Sequence, residues 1–118
     1  MSALTPPYRP AVAAGDLWFV SGQIGIPPEG EMPDDFAGQC EQVLANLDRV
    51  LTEHGLRRDQ VVKVTVFLTD MADYAALNER YREFFSEAPP ARSAIAVAAL
   101  PFDARVELEA VVHAPSAG

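Results

Sequence analysis

Apolar positions recur along this chain with two different periods, and each change of period marks an element. Residues 61–68 alternate strictly: Val62, Val64, Val66 and Leu68 face one side, Lys63, Thr65 and Phe67 the other. That is the period of a half-buried strand. The same period returns in Val106-Glu107-Leu108-Glu109-Ala110-Val111-Val112, where Val106, Leu108, Ala110 and Val112 form the clean apolar set. A third run, Ala91 to Val97, is short, apolar-rich and β-branched, and reads as a strand as well. Ala11–Ala14 and Leu17–Ser21, parted by Gly15-Asp16, predict a strand pair on a tight turn. The segment 22–30 predicts a loop, because three glycines and two prolines break its periodicity.

Helical spacing appears twice. Phe36, Cys40, Val43, Leu44, Leu47, Val50 and Leu51 recur at intervals of three and four after Pro33-Asp34, with Gly55 as the stop. Asp70 caps a second helix whose buried side is Tyr74, Leu77, Tyr81, Phe84 and Phe85, ended by Pro89-Pro90. The order is therefore ββαβαββ, an α+β fold with two helices on one face of a single sheet. On this reading Arg92, Ala94, Glu107 and Glu109 join Lys63, Thr65 and Phe67 on the opposite face, which the chain leaves uncovered. A half-apolar face of that kind is usually closed by another subunit, so a homo-oligomer is expected. Residues 1–118 form one domain, and the proline-rich residues 1–10 are expected to be an extended arm.

Charge narrows the function. The formal net charge is −8, which opposes general binding to nucleic-acid backbone. No apolar run approaches the roughly 18–20 residues needed to span a membrane. The single Cys40 allows no internal disulfide, and the first residues show no secretory pattern, so a cytoplasmic location is expected. Cys40 falls on the apolar stripe and reads as a small buried hydrophobe.

Most catalytic chemistries lack their residues here. His54 and His113 have no partners at metal-ligand spacing, so no metal is expected. Ser21 and Ser93 lie outside any nucleophile-elbow context, and no glycine loop precedes a phosphate-binding lysine. What remains is Arg92, Glu109 and the polar stretch Ser21-Gly22-Gln23. A planar guanidinium matches a carboxylate bidentately, and small alanines beside it leave room for a ligand. The competing explanation is a sheet-surface ion pair between Arg92 and Glu109, worth about 0–1 kcal/mol.

Several segments resemble one family in the same order. They are Val20-Ser21-Gly22-Gln23-Ile24, Lys63-Val64-Thr65-Val66-Phe67-Leu68, Leu77 to Phe85, Pro90-Ala91-Arg92-Ser93, Val97 to Pro101 and Val106-Glu107-Leu108-Glu109-Ala110. Together, from about Tyr8 to Val112, they resemble the RidA/YjgF family of reactive-intermediate imine deaminases. The resemblance implies a chorismate-mutase-like fold, a homotrimer and clefts between subunits. It implies hydrolysis of small 2-imino acids or their enamine tautomers, such as 2-aminoacrylate, to 2-oxo acids and ammonia. Carried over by position, Arg92 clamps the substrate carboxylate and Glu109 positions the attacking water. The backbone around Ser21, Gly22 and Ala94 holds the imine end, while Tyr8, Ser21 and Asn78 line the cleft. No cofactor is implied, since an imine carbon is already electrophilic. Two positions depart from the common pattern: Ala94 stands where a cysteine is frequent, and Pro7 precedes Tyr8 where glycine is common. Two other readings stay open: a trimer that binds small carboxylates without catalysis, and a pathway-specific deaminase of another substrate on the same scaffold. Ribonuclease activity ranks lowest, against the acidic charge and without a histidine pair.

Overall fold

A computed structural model describes residues 6–115 of the chain. Residues 1–5, half of the expected arm, lie outside the described residues, and residues 6–10 carry no regular secondary structure. Five strands and two helices follow: β1 (Ala11–Ala14), β2 (Leu17–Ile24), α1 (Phe36–Glu53), β3 (Val61–Leu68), α2 (Tyr74–Phe84), β4 (Ala91–Ala96) and β5 (Val106–His113). They form one sheet in the order β1-β2-β5-β3-β4. Only β3 and β4 are parallel, joined through α2; every other pair is antiparallel. This is the ββαβαββ order that the periodicity predicts, laid out as a mixed sheet.

The core lies between the helices and one sheet face. Val64, Val66, Leu68, Leu108 and Val112 from the central strands meet Val43, Leu47 and Leu51 of α1, all essentially without solvent contact. Burying each such side chain contributes about 1.5–3 kcal/mol. Gln39 and Asn46 are the buried polar side chains of α1, and both are fully used. Gln39 Oε1 accepts from the Arg105 backbone N–H at 2.8 Å, and its Nε2 donates to the Pro33 carbonyl at 2.9 Å. Asn46 Nδ2 donates to the carbonyls of Ile24 and Ile26, pinning the end of β2 to the helix. Gly55 ends the α1 region with a positive φ of 71°, as a left-handed stop requires.

Three expectations need correction. Val62 is 45% exposed and Val61 is buried instead. A register irregularity between Val61 and Lys63 against β5 rotates that residue out of the alternation. Strand β2 also continues through Gly22-Gln23 to Ile24, where a loop is predicted. The ladder to β5 absorbs the glycine with a bulge between Val20 and Gln23. The third correction concerns Arg92 and Ala94. In the parallel register Arg92 lies beside Val64 and Ala94 beside Val66, so both point to the helix-bearing face. The uncovered face instead carries Lys63, Thr65, Phe67, Ser93, Ile95, Glu107 and Glu109.

Candidate active site

Arg92 sits on the edge strand β4 against the first turns of α2. Its Nη2 donates to the Tyr74 hydroxyl at 3.1 Å, and its guanidinium lies over the Tyr81 ring, 4.7 Å from the centroid. Among the described residues no carboxylate comes within ion-pair distance of it. Its charge therefore faces an open groove of about 450 Å³ lined by Asn78, Tyr81, Phe85, Pro89 and Pro90. Asn78 and Tyr81 are three apart on α2 and so share the helix face that meets this groove. A cation with unused donors at the rim of a mostly apolar groove suits a small organic carboxylate. Ala94, two residues on, lies on the same side of β4 as Arg92.

Tyr8, Ser21 and Gly22 gather elsewhere, at the upper edge of β2. The Ser21 hydroxyl donates to the Arg9 carbonyl at 2.7 Å, and the Ser21 N–H donates to the Pro10 carbonyl at 2.9 Å. These bonds hold the segment bearing Tyr8 against the bulge. Tyr8, Pro10, Gly22, Gln23 and Ile24 line a cleft of about 430 Å³ there, with the exposed Phe102 at its rim. Strand β1 pairs only with Leu17–Val20, so this stretch of β2 has no outer strand neighbour.

The cleft lies on the α1 side of the sheet, walled also by Arg49 and Glu53. On the other side of the bulge the acid that stands beside Gly22 is Glu107. A β-carbon on Gly22 would lie 2.9 Å from Glu107 Cδ, and closer still to its carboxylate oxygen. Glycine is thus what lets the carboxyl approach the bulge backbone. Partial burial raises the Glu107 pKa above the usual carboxylate range, and the neighbouring Glu109 charge raises it further. Glu109 pairs with Thr65 and is exposed, one step farther along the same sheet face.

The expectation that Arg92 and Glu109 share a face is therefore corrected. Arg92 points to the helix side, whereas Glu107 and Glu109 both point away from it. Strands β2 and β4 are also separated by β5 and β3, about 14 Å at three strand spacings. The sequence alternation marks both glutamates equally; only the register of β5 on β2 sets Glu107 beside the glycine. Tyr74 and Tyr81 were legible only as packing residues, and their contact with Arg92 depends on how α2 lies on β4. Among the described residues no cluster of three or more His, Cys, Asp or Glu side chains could hold a metal.

A mixed five-stranded sheet with two helices on one face, an arginine with no carboxylate partner among the described residues at an open groove and a glycine bulge beside an acid define a class of small α+β proteins. The comparisons narrow the class. Residues 2–114 match the family model described as Endoribonuclease L-PSP. A RutC family protein of Pyrococcus horikoshii is 44% identical over 109 residues, covering 91% of this chain and 86% of its own. The Escherichia coli protein named "Putative reactive intermediate deaminase TdcF" is 40% identical over 109 residues, covering 89% and 84%. Among solved structures, the Escherichia coli YjgF gene product superposes with a TM-score of 0.87 at 41% identity, covering 94% of this chain and 91% of that one. Escherichia coli TdcF with bound serine gives a TM-score of 0.87 at 39% identity, covering 93% and 90%. The chain belongs to the RidA/YjgF family.

Proposed function

We propose that this protein hydrolyses small 2-imino acids, or their enamine tautomers, to 2-oxo acids and ammonia. The observation that carries the reading is the unpaired Arg92 at its groove. Likeness to a protein named as a reactive intermediate deaminase, and to a relative solved with serine bound, agrees with a small amino-acid-like ligand.

Arg92 anchors the carboxylate, which fixes the imine carbon for attack. Water adds to that carbon and gives its proton to a carboxylate. The proton is returned to nitrogen to give the carbinolamine. The same carboxylate then takes the hydroxyl proton and passes it to nitrogen, the C–N bond breaks as C=O forms, and ammonia leaves. Glu107 is the acid best suited to this, because its raised pKa favours taking and returning a proton closer to neutral pH. Glu109, the residue expected from the motif alone, lacks the contact with Gly22. Ser21 and Gly22 supply backbone groups to the imine end, with Tyr8 and Asn78 lining the space.

Arg92 and Glu107 lie too far apart in one chain to act on one small molecule. The outer edge of β4 and residues 21–24 of β2 both lack an outer strand neighbour among the described residues. We place the complete site where they meet, with Arg92, Asn78 and Ala94 from one subunit and Tyr8, Ser21, Gly22 and Glu107 from the next. Such head-to-tail contacts close into a ring, and a homotrimer satisfies them.

The test is acceleration of 2-oxo acid and ammonia release from imines made in situ by an amino-acid oxidase. Wild type is expected to exceed the buffer rate and Arg92→Ala to match buffer. Equal clearance by wild type and Arg92→Ala sinks the reading. Glu107→Gln is expected to lose roughly 10²- to 10⁴-fold and Glu109→Gln to stay near wild type; the reverse returns the role to Glu109.

A ribonuclease reading, suggested by the description of the family model, finds less support. Neither histidine is at the groove or the bulge: His54 packs edge-on to Trp18 under α1, and His113 ends β5.

A further inference from the structure

Arg92 could adopt many rotamers on an edge strand, and an unpaired guanidinium there would ordinarily sweep through solvent. Its fork is held instead from two sides. The Tyr81 ring lies beneath the guanidinium, and Tyr81 itself is only 7% exposed. Its hydroxyl is buried without a partner, so its contribution to the arginine is the ring face. The Tyr74 hydroxyl accepts from Nη2, with the Tyr74 ring centroid 5.5 Å from the guanidinium carbon.

Tyr74 is not there to fill the core. It is 41% exposed, although the helical period marks it as buried. Its backbone is nevertheless firmly placed. It opens α2 directly after the turn Met71–Asp73, whose start is capped by Asp70 Oδ1 accepting from the Ala72 N–H at 2.9 Å. Arg105 Nη2 then ties Asp73 Oδ2 at 3.2 Å. An exposed aromatic on a doubly anchored turn, spending its hydroxyl on a cation without a carboxylate partner, points to a role through that cation.

We propose that Tyr74 is a positioning residue: its hydroxyl holds one arm of the Arg92 fork so that the remaining donors face the groove for a substrate carboxylate. The inference rests on Arg92 being a carboxylate clamp. A guanidinium has five N–H donors, and fixing one arm leaves the other side to meet a carboxylate with less rotamer entropy to lose. Such help acts on ground state and transition state alike, so it belongs in KM and in ligand affinity, not in kcat.

Tyr74→Phe keeps the ring and removes the acceptor. Two readouts are needed: pyruvate affinity by NMR titration, and KM and kcat for in situ imines. Pyruvate affinity should fall and KM rise by roughly three- to tenfold, the net worth of one hydrogen bond, with kcat within about twofold. In the Arg92→Ala background the substitution should add nothing. Wild-type pyruvate affinity in Tyr74→Phe overturns the proposal, as does a fall confined to kcat. Failure of wild type to bind pyruvate overturns it too. If wild type binds pyruvate through Tyr74 but accelerates no imine hydrolysis, the positioning role stands and the deaminase reading falls.

Discussion

Gly22 and the Glu107 carboxyl group occupy the same small volume: a β-carbon at residue 22 would intrude on the acid. The sheet bulge between Val20 and Gln23 puts the glycine there, and the β2–β5 register brings the glutamate to it. Because the displaced atoms are the end of a flexible side chain, the fold can relieve the clash by rotating Glu107 away. Gly22→Ala is therefore expected to leave the melting temperature nearly unchanged while reducing turnover at least tenfold, since a general base acts only within hydrogen-bond reach. A cooperative loss of stability with full specific activity of the folded fraction would contradict this.

Charge at residue 92 is not enough. Arg92→Lys retains the cation but loses the planar fork and most of its stacking on Tyr81. A charge-assisted hydrogen bond is worth about 1.5–3 kcal/mol, so kcat/KM should fall roughly 10- to 150-fold. Steady-state kinetics on the same imine panel check this, and a lysine variant within threefold of wild type would count against a bidentate clamp.

If the site is shared between copies, two dead variants can complement each other. Arg92→Ala keeps the β2 half and Glu107→Ala keeps the β4 half. Refolded together in equal amounts, about a quarter of head-to-tail interfaces pair one intact half with the other. Recovery of about a quarter of wild-type activity is expected on mixing, against none for either variant alone. Persistent inactivity of well-formed mixed oligomers would place the whole site within one chain.

Glu107 also makes stability depend on pH in a definite direction. Burial, with a further push from Glu109, raises its folded pKa above the usual 4.5. The folded chain then binds the proton more readily than the unfolded chain in the window from 4.5 up to the raised value. Stability from this group is complete below that window and is lost as pH rises through it. Glu107→Gln removes the loss, so its urea midpoint should exceed that of wild type at pH 7, and the difference should close below pH 4.5. A difference that instead widens in acid would reverse the assignment.

Much of the fold was legible in the chain because its elements have strong, distinct periods. The α1 stripe from Phe36 to Leu51 and the β5 alternation from Val106 to Val112 each have one way to bury their apolar set. Irregular positions were not legible. The bulges at Val62 and Gly22 depend on the facing strand, and a one-residue irregularity exchanges the faces of everything it touches. That is why Val62 was expected inside; residues 22–24 were expected as part of a loop because glycines and prolines break the period there.

Residue types, by contrast, pointed to the site before its geometry did. An arginine among small residues and an acidic pair on a strand are chemistry that local sequence displays. Which of Glu107 and Glu109 meets the bulge, and which sheet face Arg92 takes, are set by strand partners far away in the sequence, as Ile24 is from Glu107 and Thr65 from Glu109. The sequence by itself determined the order of elements, the apolar set and the kind of charge available, because those follow from period and composition. Only the tertiary structure decided that the cation and the acid stand on opposite faces of one sheet, because pairing register is a property of two strands together and is written in neither alone.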